Sequence, residues 1–520
     1  MASSDITIEE GKHSSPSPER LTHLDDQSIR LPWSRLAASY LCLCLCYFIS
    51  YLDMNAATTA LPTISNALSA GTTITWAGTA FLLGVTAFQP LYGRISDISG
   101  RKPVLILSIT CIMIGDLLSG LAKTPTWLYV SRSISGIGTG GTSSLVSIII
   151  SDLVSLKDRG KYQGFVSIAI GGGAVTGPFV AASLIQKGAD GWRWAFWVPS
   201  ILALICIFCL LLLLPLNQVT GSWRRKTQQI DWLGSFLSIT GIVFLLIPIS
   251  SGGISWPWDS GLIITFLILG SISIVSFVLV EGLFAILPII PMTLFKKRSL
   301  AVMLVSGALH DYVWQSTQYF MPLFYQQVLG FSPLKSAILT LPYVLAQSVA
   351  GAISGPLMSR FARFTPVLRT GLFLWSCGAG LRLLFHRHTH IVIYIVVLAI
   401  EGAGVGFTHQ PGLVAVQALA KTEDRAVATS TRNLLRSLGS VFGIAISTAT
   451  QQAVMQSALS NGTSPKPPEG YSFNSKTALA NVLDAKMAGF RIVFITLVPL
   501  ICLCFFANFL VTDVVLTGDR

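Results

Sequence analysis

Residues 93–103 read GRISDISGRKP, a short polar segment set between two apolar runs, 74–94 and 103–122. Three cations, Arg94, Arg101 and Lys102, flank a single acid, Asp97, and Gly100 supplies the freedom for a tight turn. A span needs about 20 apolar residues, so a chain that crosses a bilayer, reverses and crosses again reads this way. Lys and Arg gather in cytosolic loops, which places this turn on the cytosolic side. Two readings fit the charges: an ion-pair latch of Asp97 with Arg94 and Arg101, or topogenic positive charge around a Gly turn. In the latch reading Asp97 is also placed to meet a helix N-terminus in one conformation.

The rest of the chain extends this pattern. It is 52% hydrophobic and only 11% charged, where soluble chains carry about 25% charged residues, and its mean hydropathy is +0.67. Fourteen spans are predicted, near 36–60, 74–94, 103–122, 127–151, 163–184, 194–215, 231–250, 260–281, 299–328, 336–359, 367–384, 391–415, 427–450 and 490–513. The cations test this number independently. Arg94/Arg101/Lys102, Lys157/Arg159/Lys161, Arg224/Arg225/Lys226, Lys296/Lys297/Arg298, Arg360/Arg363/Arg369 and Lys421/Arg425 all fall in alternate loops. The outer loops SNALSAGTT (65–73) and SSGGISWPWDS (250–260) hold no Lys or Arg. The alternation stays in phase to the end, so both termini are expected in the cytosol.

The resulting fold class is all-α. Residues 1–33 are a polar, Ser/Pro-rich cytosolic tail without an apolar signal core. Residues 34–216 form an N-terminal six-helix bundle, 217–298 a cytosolic loop with two inserted helices, and 299–520 a C-terminal six-helix bundle. A weak repeat relates the bundles: GRISDISGR (93–101) faces GPLMSRFAR (355–363), and SGIGTGG (135–141) faces EGAGVGF (401–407). Repeated halves with a binding site near the midplane between them are a hallmark of transporters. The long outer loop 452–489 carries a sequon, NGTS, which makes Asn461 a glycan acceptor in a eukaryotic host.

Several function classes drop out. The net charge of +12 lies mainly in alternate loops, so it does not point to nucleic acid. All nine cysteines fall in apolar runs and fit no zinc spacing, so neither a metal nor a disulfide framework is expected. There is no phosphate-cradling G-x4-G-K-[ST] loop, no Ser–His–Asp set, and hence no enzyme reading. The lipid bilayer is the expected surrounding, and no cofactor is expected.

GRISDISGRKP matches the loop motif G-x-x-x-D-x-x-G-R-[KR], and on this match the chain resembles the major facilitator superfamily. LYVSRSISGIG (128–138) resembles the motif in which Arg132 is the embedded arginine, with Ser135 in place of the usual Gln. GFVSIAIGGGAVTGPFVAA (164–182) resembles the antiporter motif through Gly164, Gly173, Gly177 and Pro178, with Ala181 and Ala182 where glycines stand. LDMNAATTALP (52–62) keeps the Asp and Ala-Leu-Pro of the first-helix motif. WRWAFW (192–197), FMPLFYQQVLGFSP (320–333) and ATSTRNLLRSLGS (428–440) extend the likeness to fourteen-helix drug:proton antiporters, most like fungal efflux members. The resemblance implies a monomer that exports amphipathic drugs, toxins or secondary metabolites by antiport, with a small-molecule substrate and protons as partners and the proton gradient as the energy source; vacuolar transport of basic amino acids is the runner-up. A membrane sensor, the third reading, would need a large soluble output domain. The plasma membrane is the expected location and the vacuolar membrane the alternative.

The intramembrane charges then become candidates, since a charge at mid-bilayer costs at least ~2.5–3.5 kcal/mol. Asp53 is placed roughly 12 Å below the outer surface and Arg132 roughly 8 Å, at 1.5 Å per residue, so the two can meet. They are read either as the proton-coupling pair, Asp53 the carrier and Arg132 its tuner, or as a static pair. Glu401, His310 and Asp311 fall near mid-bilayer and are central-cavity candidates, with a structural hydrogen-bonded role as the alternative. Tyr312 and Trp314 are aromatic candidates for the same cavity, as are Tyr319, Phe320 and Tyr325. Asp116 is a weaker candidate, and Glu281 and His409 are expected to snorkel at the inner boundary.

Overall fold

The computed structural model describes residues 32–186, 188, 190–215, 230–252, 256–285, 287–461 and 476–516. The first 31 residues and the whole of the 217–229 loop therefore lie outside the described residues. Every predicted span falls on a helix. In the first half these are α1 (Trp33–Ala67), α2 (Trp76–Phe88), α3 (Leu91–Ser99), α4 (Arg101–Gly120), α5 (Pro125–Leu153), α6 (Leu156–Ile185) and α7 (Trp194–Leu213). An intervening pair follows, α8 (Trp232–Ser251) and α9 (Gly261–Leu283). The second half holds a short α10 (Thr293–Lys296), then α11 (Arg298–Gln327), α12 (Pro333–Phe361), α13 (Thr365–Leu381), α14 (Ile391–Leu419), α15 (Arg425–Asn461) and α16 (Lys476–Ala507).

Ten of these helices are long and apolar enough to cross a membrane, and Trp76–Phe88 is a shorter apolar one. Two further differences from the sequence reading concern boundaries. The predicted second span breaks into α2 and α3 at Pro90, which has no N–H to continue the ladder. The outer loop expected at 452–489 is mostly helical: α15 runs to Asn461 and α16 begins at Lys476. Only 462–475, with the rest of the sequon, lies outside the described residues. Polar residues at the ends of long apolar helices read as loop by hydropathy, yet the helices continue through them.

Helix starts follow local chemistry. Thr124, Ser155, Asp231, Ser260 and Ser332 each accept a backbone N–H of the first turn, and Pro125 and Pro333 occupy first helical positions. Gly100 joins α3 to α4 with φ 99°, a left-handed conformation that a side chain would strain.

Each half has its own core. Leu43, Ile109, Leu145, Ile149 and Leu210 anchor the first, and Phe320, Phe324, Trp375, Tyr394 and Phe494 the second. The α8–α9 pair packs on α2, the start of α3 and α15 through Ile242, Leu246 and Phe277, which cluster with Ala87, Leu91, Leu434 and Val441. Among the described residues there is no β-strand, only isolated bridges such as Arg363 with Val515.

The halves close on each other at the end that carries the 93–101 turn, here the loop end. Gln89 accepts from Ser437 Oγ at 2.6 Å, Asn433 donates to Ser144 at 3.2 Å, Gln417 to the Ser147 carbonyl at 3.4 Å, and Ser359 to the Lys157 carbonyl at 2.9 Å. Gly164 of α6 lies against Gly355 of α12, so close that an added Cβ would sit 2.8 Å from the Gly355 Cα. Small residues on facing helices are what allow such an approach.

Candidate functional site

Gly173 and Gly177 let α6 run directly along α1: a Cβ at Gly177 would stand 2.7 Å from the Leu52 carbonyl oxygen. The helix passes through Pro178 without interruption. Gly138 and Gly140 do the same for α5 against α4 and α2. This close packing brings α1, α4 and α5 together at one level and positions the first charge cluster. Arg132 Nη1 donates to Asp53 Oδ1 at 2.7 Å and to Asp116 Oδ1 at 3.3 Å, and Ser135 Oγ donates to Asp116 at 2.7 Å. Asp53 and Asp116 are fully buried. Phe81 stacks on the Arg132 guanidinium at 4.4 Å, with Phe196 at 5.5 Å. The predicted meeting of Asp53 with Arg132 is thus present, and Asp116 joins it. α1 runs to Ala67, past the end expected near residue 60.

A second buried cluster occupies the other half. Arg382 donates to Glu401 at 3.1 Å and to Thr317 Oγ1 at 2.7 Å, and neither Arg382 nor Glu401 is exposed at all. Glu401 is therefore held in a closed ion pair and does not line the central cavity expected for it. His310 is also displaced from that cavity: it is buried against the Trp375 ring, centroids 5.6 Å apart. Tyr312 packs at the edge of the second core instead of facing the cavity, Phe320 and Tyr325 belong to that core, and Tyr319 is 44% exposed on the outside. A helix of period 3.6 turns adjacent residues to different faces, so of the run His310–Trp314 only Asp311 and Trp314 reach the cavity.

The cavity lies between the halves and is lined from α1 by Tyr47, Tyr51 and Met54, from α2 by Phe81, from the turn after it by Gln89, and from α5 by Ser143 and Ser147. The second half supplies Asp311, Trp314, Gln347, His409, Arg432 and Arg436. Arg436 donates to Asp311 Oδ1 at 2.9 Å, and His409 Nε2 lies 3.5 Å from the same oxygen. Arg432 donates to the His409 carbonyl at 2.9 Å and to Asn433 Oδ1 at 3.4 Å. Among the described residues no carboxylate forms an ion pair with Arg432, so the cavity carries one uncompensated guanidinium. Trp314 donates to Gln347 at 3.1 Å and lies 5.6 Å from the His409 ring. His409, expected at the inner boundary, is part of this cluster because α14 runs on to Leu419. Its proximity to Arg432 and Arg436 comes from a different helix, which spacing along α14 does not reveal.

At the loop end Asp97 is paired with Arg101, while Arg94 Nη1 stands 4.0 Å from Asp97 Oδ2. Arg101 also bonds Asp152 at 3.0 Å, and Lys102 donates to the Leu211 carbonyl. Arg94 donates twice to the Pro288 carbonyl, at 3.0 and 2.8 Å, tying the turn to the segment after α9. Gly93 meets the start of α15: a Cβ there would stand 2.8 Å from the Ala426 carbonyl oxygen and from Ser430 Oγ. Glu281, expected to snorkel, is only 5% exposed and accepts the Ile289 N–H at 3.0 Å. Asn461 ends α15. Among the described residues no group of three or more His, Cys, Asp or Glu is arranged to hold a metal ion.

Two helical halves enclosing a cavity of mixed apolar and polar lining, with buried charge clusters on either side, define a membrane transporter, and the chain belongs to the Major Facilitator Superfamily, whose sequence profile matches residues 43–444. Among its relatives is Citrate exporter 1 of Yarrowia lipolytica, 35% identical over 520 residues, covering 98% of this chain and 76% of that protein. Efflux pump dotC of Dothistroma septosporum is 34% identical over 433 residues, 83% of this chain and 74% of the pump. The crystal structure of the human organic anion transporter MFSD10 superposes with a TM-score of 0.62 at 16% identity, covering 92% of this chain and 100% of that one, a likeness of fold.

Proposed function

We propose that this protein is a proton-coupled antiporter that exports small amphipathic organic molecules from the cytosol, and that its cavity favours those carrying a carboxylate or similar anion. The observation that carries this reading is the charge of the cavity: Arg432 and Arg436 face a single carboxylate, Asp311. A guanidinium with only neutral partners in a poorly solvated cavity attracts an anion that supplies what the protein withholds. Met54, Phe81 and Trp314 offer apolar surface for the remainder of such a molecule. The names of relatives, an exporter of citrate and an efflux pump, agree with outward transport. The same surplus positive charge disfavours basic amino acids, which would meet repulsion from both arginines.

In this reading all fourteen predicted spans cross the bilayer, the loop end faces the cytosol, and the closed seam there makes this an outward-facing state. Asp53 and Arg132 couple the proton. The test is flux of citrate, as a trial anion, in sealed vesicles with an imposed pH gradient, for the wild type and Arg432→Gln. A hydrogen bond to a charged group is worth about 1.5–3 kcal/mol, so Arg432→Gln should raise the citrate KM roughly 10–100-fold at 1.4 kcal/mol per decade. Gradient-driven flux of a lipophilic cation, but of no carboxylate in a panel, would overturn the anion reading.

A further inference from the structure

The two buried charge clusters occupy corresponding places in the repeat, and only one of them balances. Ser135 faces Glu401 in the repeat alignment. Asp116 and Ser135 stand 19 residues apart and are hydrogen-bonded; Arg382 and Glu401 stand 19 residues apart and are ion-paired. In the second half one cation meets one anion. In the first half Asp53 and Asp116 share the single guanidinium of Arg132, and even the same nitrogen. Among the described residues no other charged side chain forms an ion pair with either acid. The neighbours that complete the enclosure, Ser135, Phe81 and Phe196, are neutral.

With both acids ionised the cluster would hold one unbalanced negative charge, fully buried among apolar helices, which is the costly state for a group in a membrane span. The hydrogen bonding shows the same deficit. Asp53 Oδ2 and Asp116 Oδ2 are both buried and have no hydrogen-bond partner. A proton on one carboxyl group would supply a donor where these two oxygens are only acceptors.

We propose that Asp53 and Asp116 form a carboxyl pair that holds one proton, so that the proton site is this pair and not Asp53 alone. This rests on the proton coupling proposed above and deepens it. One O–H bond forms when a proton arrives from water and breaks when it leaves; Arg132 stays charged throughout and neutralises the remaining carboxylate. Phe81, which lies over Arg132 and also lines the central cavity, separates the pair from the substrate space. The Arg382–Glu401 pair is balanced in charge without a proton and serves as the counterpart.

The test is infrared spectroscopy of the purified full chain in detergent at neutral pH, read as wild-type-minus-variant differences in the carboxylic-acid C=O band. The wild type should show one protonated carboxyl that disappears in Asp53→Asn and equally in Asp116→Asn, because either change leaves one acid balanced by Arg132. Glu401→Gln should leave that band in place. A band that survives Asp116→Asn, or no band in the wild type, overturns the pair. Vesicle flux separates this from the coupling itself. Wild-type flux that ignores the pH gradient sinks the coupling reading whatever the spectra show. Gradient dependence lost in Asp53→Asn but kept in Asp116→Asn sinks only the pair.

Discussion

The contact of Gly93 with the start of α15 predicts the behaviour of Gly93→Ala. In the closed seam the new methyl carbon would lie 2.8 Å from the Ala426 carbonyl oxygen and 2.8 Å from Ser430 Oγ, inside the 3.4–4 Å of ordinary contact. Ser430 can rotate away, but the Ala426 carbonyl belongs to the helix backbone, so α3 and α15 must part. Gly93 lies within α3 with helical backbone, so Ala should also favour that helix by about 0.5–1 kcal/mol. That gain applies whether the seam is open or closed and cancels from the balance. Only the clash is state-dependent, and small-to-large changes in packed contacts cost about 1–3 kcal/mol. The closed-to-open ratio at the loop end should therefore fall about 5–150-fold. Hydrogen–deuterium exchange followed by mass spectrometry reads this directly. Segments lining the seam, 143–153 and 410–419, should exchange faster in Gly93→Ala, and the same segments should be unaffected by Gly78→Ala, where an added Cβ meets nothing within 4 Å. Unchanged exchange in a folded Gly93→Ala protein would refute the reasoning, since it would mean the seam is looser than its contacts.

Two further outcomes follow from the packing and the second charge cluster. Removing one partner of the buried Arg382–Glu401 pair, as in Arg382→Met or Glu401→Leu, should destabilise by about 3–5 kcal/mol, whereas the double change should recover most of the loss because nothing charged is left stranded. Thermal unfolding midpoints in detergent compare the three, and a double variant as unstable as either single one would argue against the pair as the cause. Gly177→Val should cost about 1–3 kcal/mol by forcing α1 from α6, because its Cβ would stand 2.7 Å from the Leu52 carbonyl and 2.9 Å from the Ala56 nitrogen. Gly172→Ala, with 3.7 Å to the Phe48 ring, is the control, and the monodisperse fraction on size exclusion should fall only for Gly177→Val.

Hydropathy and the GRISDISGRKP turn were enough to determine the helices and their order. These features are local: each helix satisfies its own backbone in lipid, so its presence is written in its own residues. The meeting of Asp53 with Arg132 was also legible, because depth along a span is a one-dimensional quantity that the sequence carries. What the sequence left open depended on rotation and on which helices become neighbours. Glu401, His310 and Tyr312 sit at the right depth for the cavity but turn to Arg382, to Trp375 and to the edge of the second core. His409 reaches the cavity because α14 continues inward and α15 brings Arg432 and Arg436 beside it. Asp116 completes the first cluster because glycines on α5 bring α4 within reach. A charge in a span announces that it needs a partner, and only the packing of one helix against another decides which partner it finds.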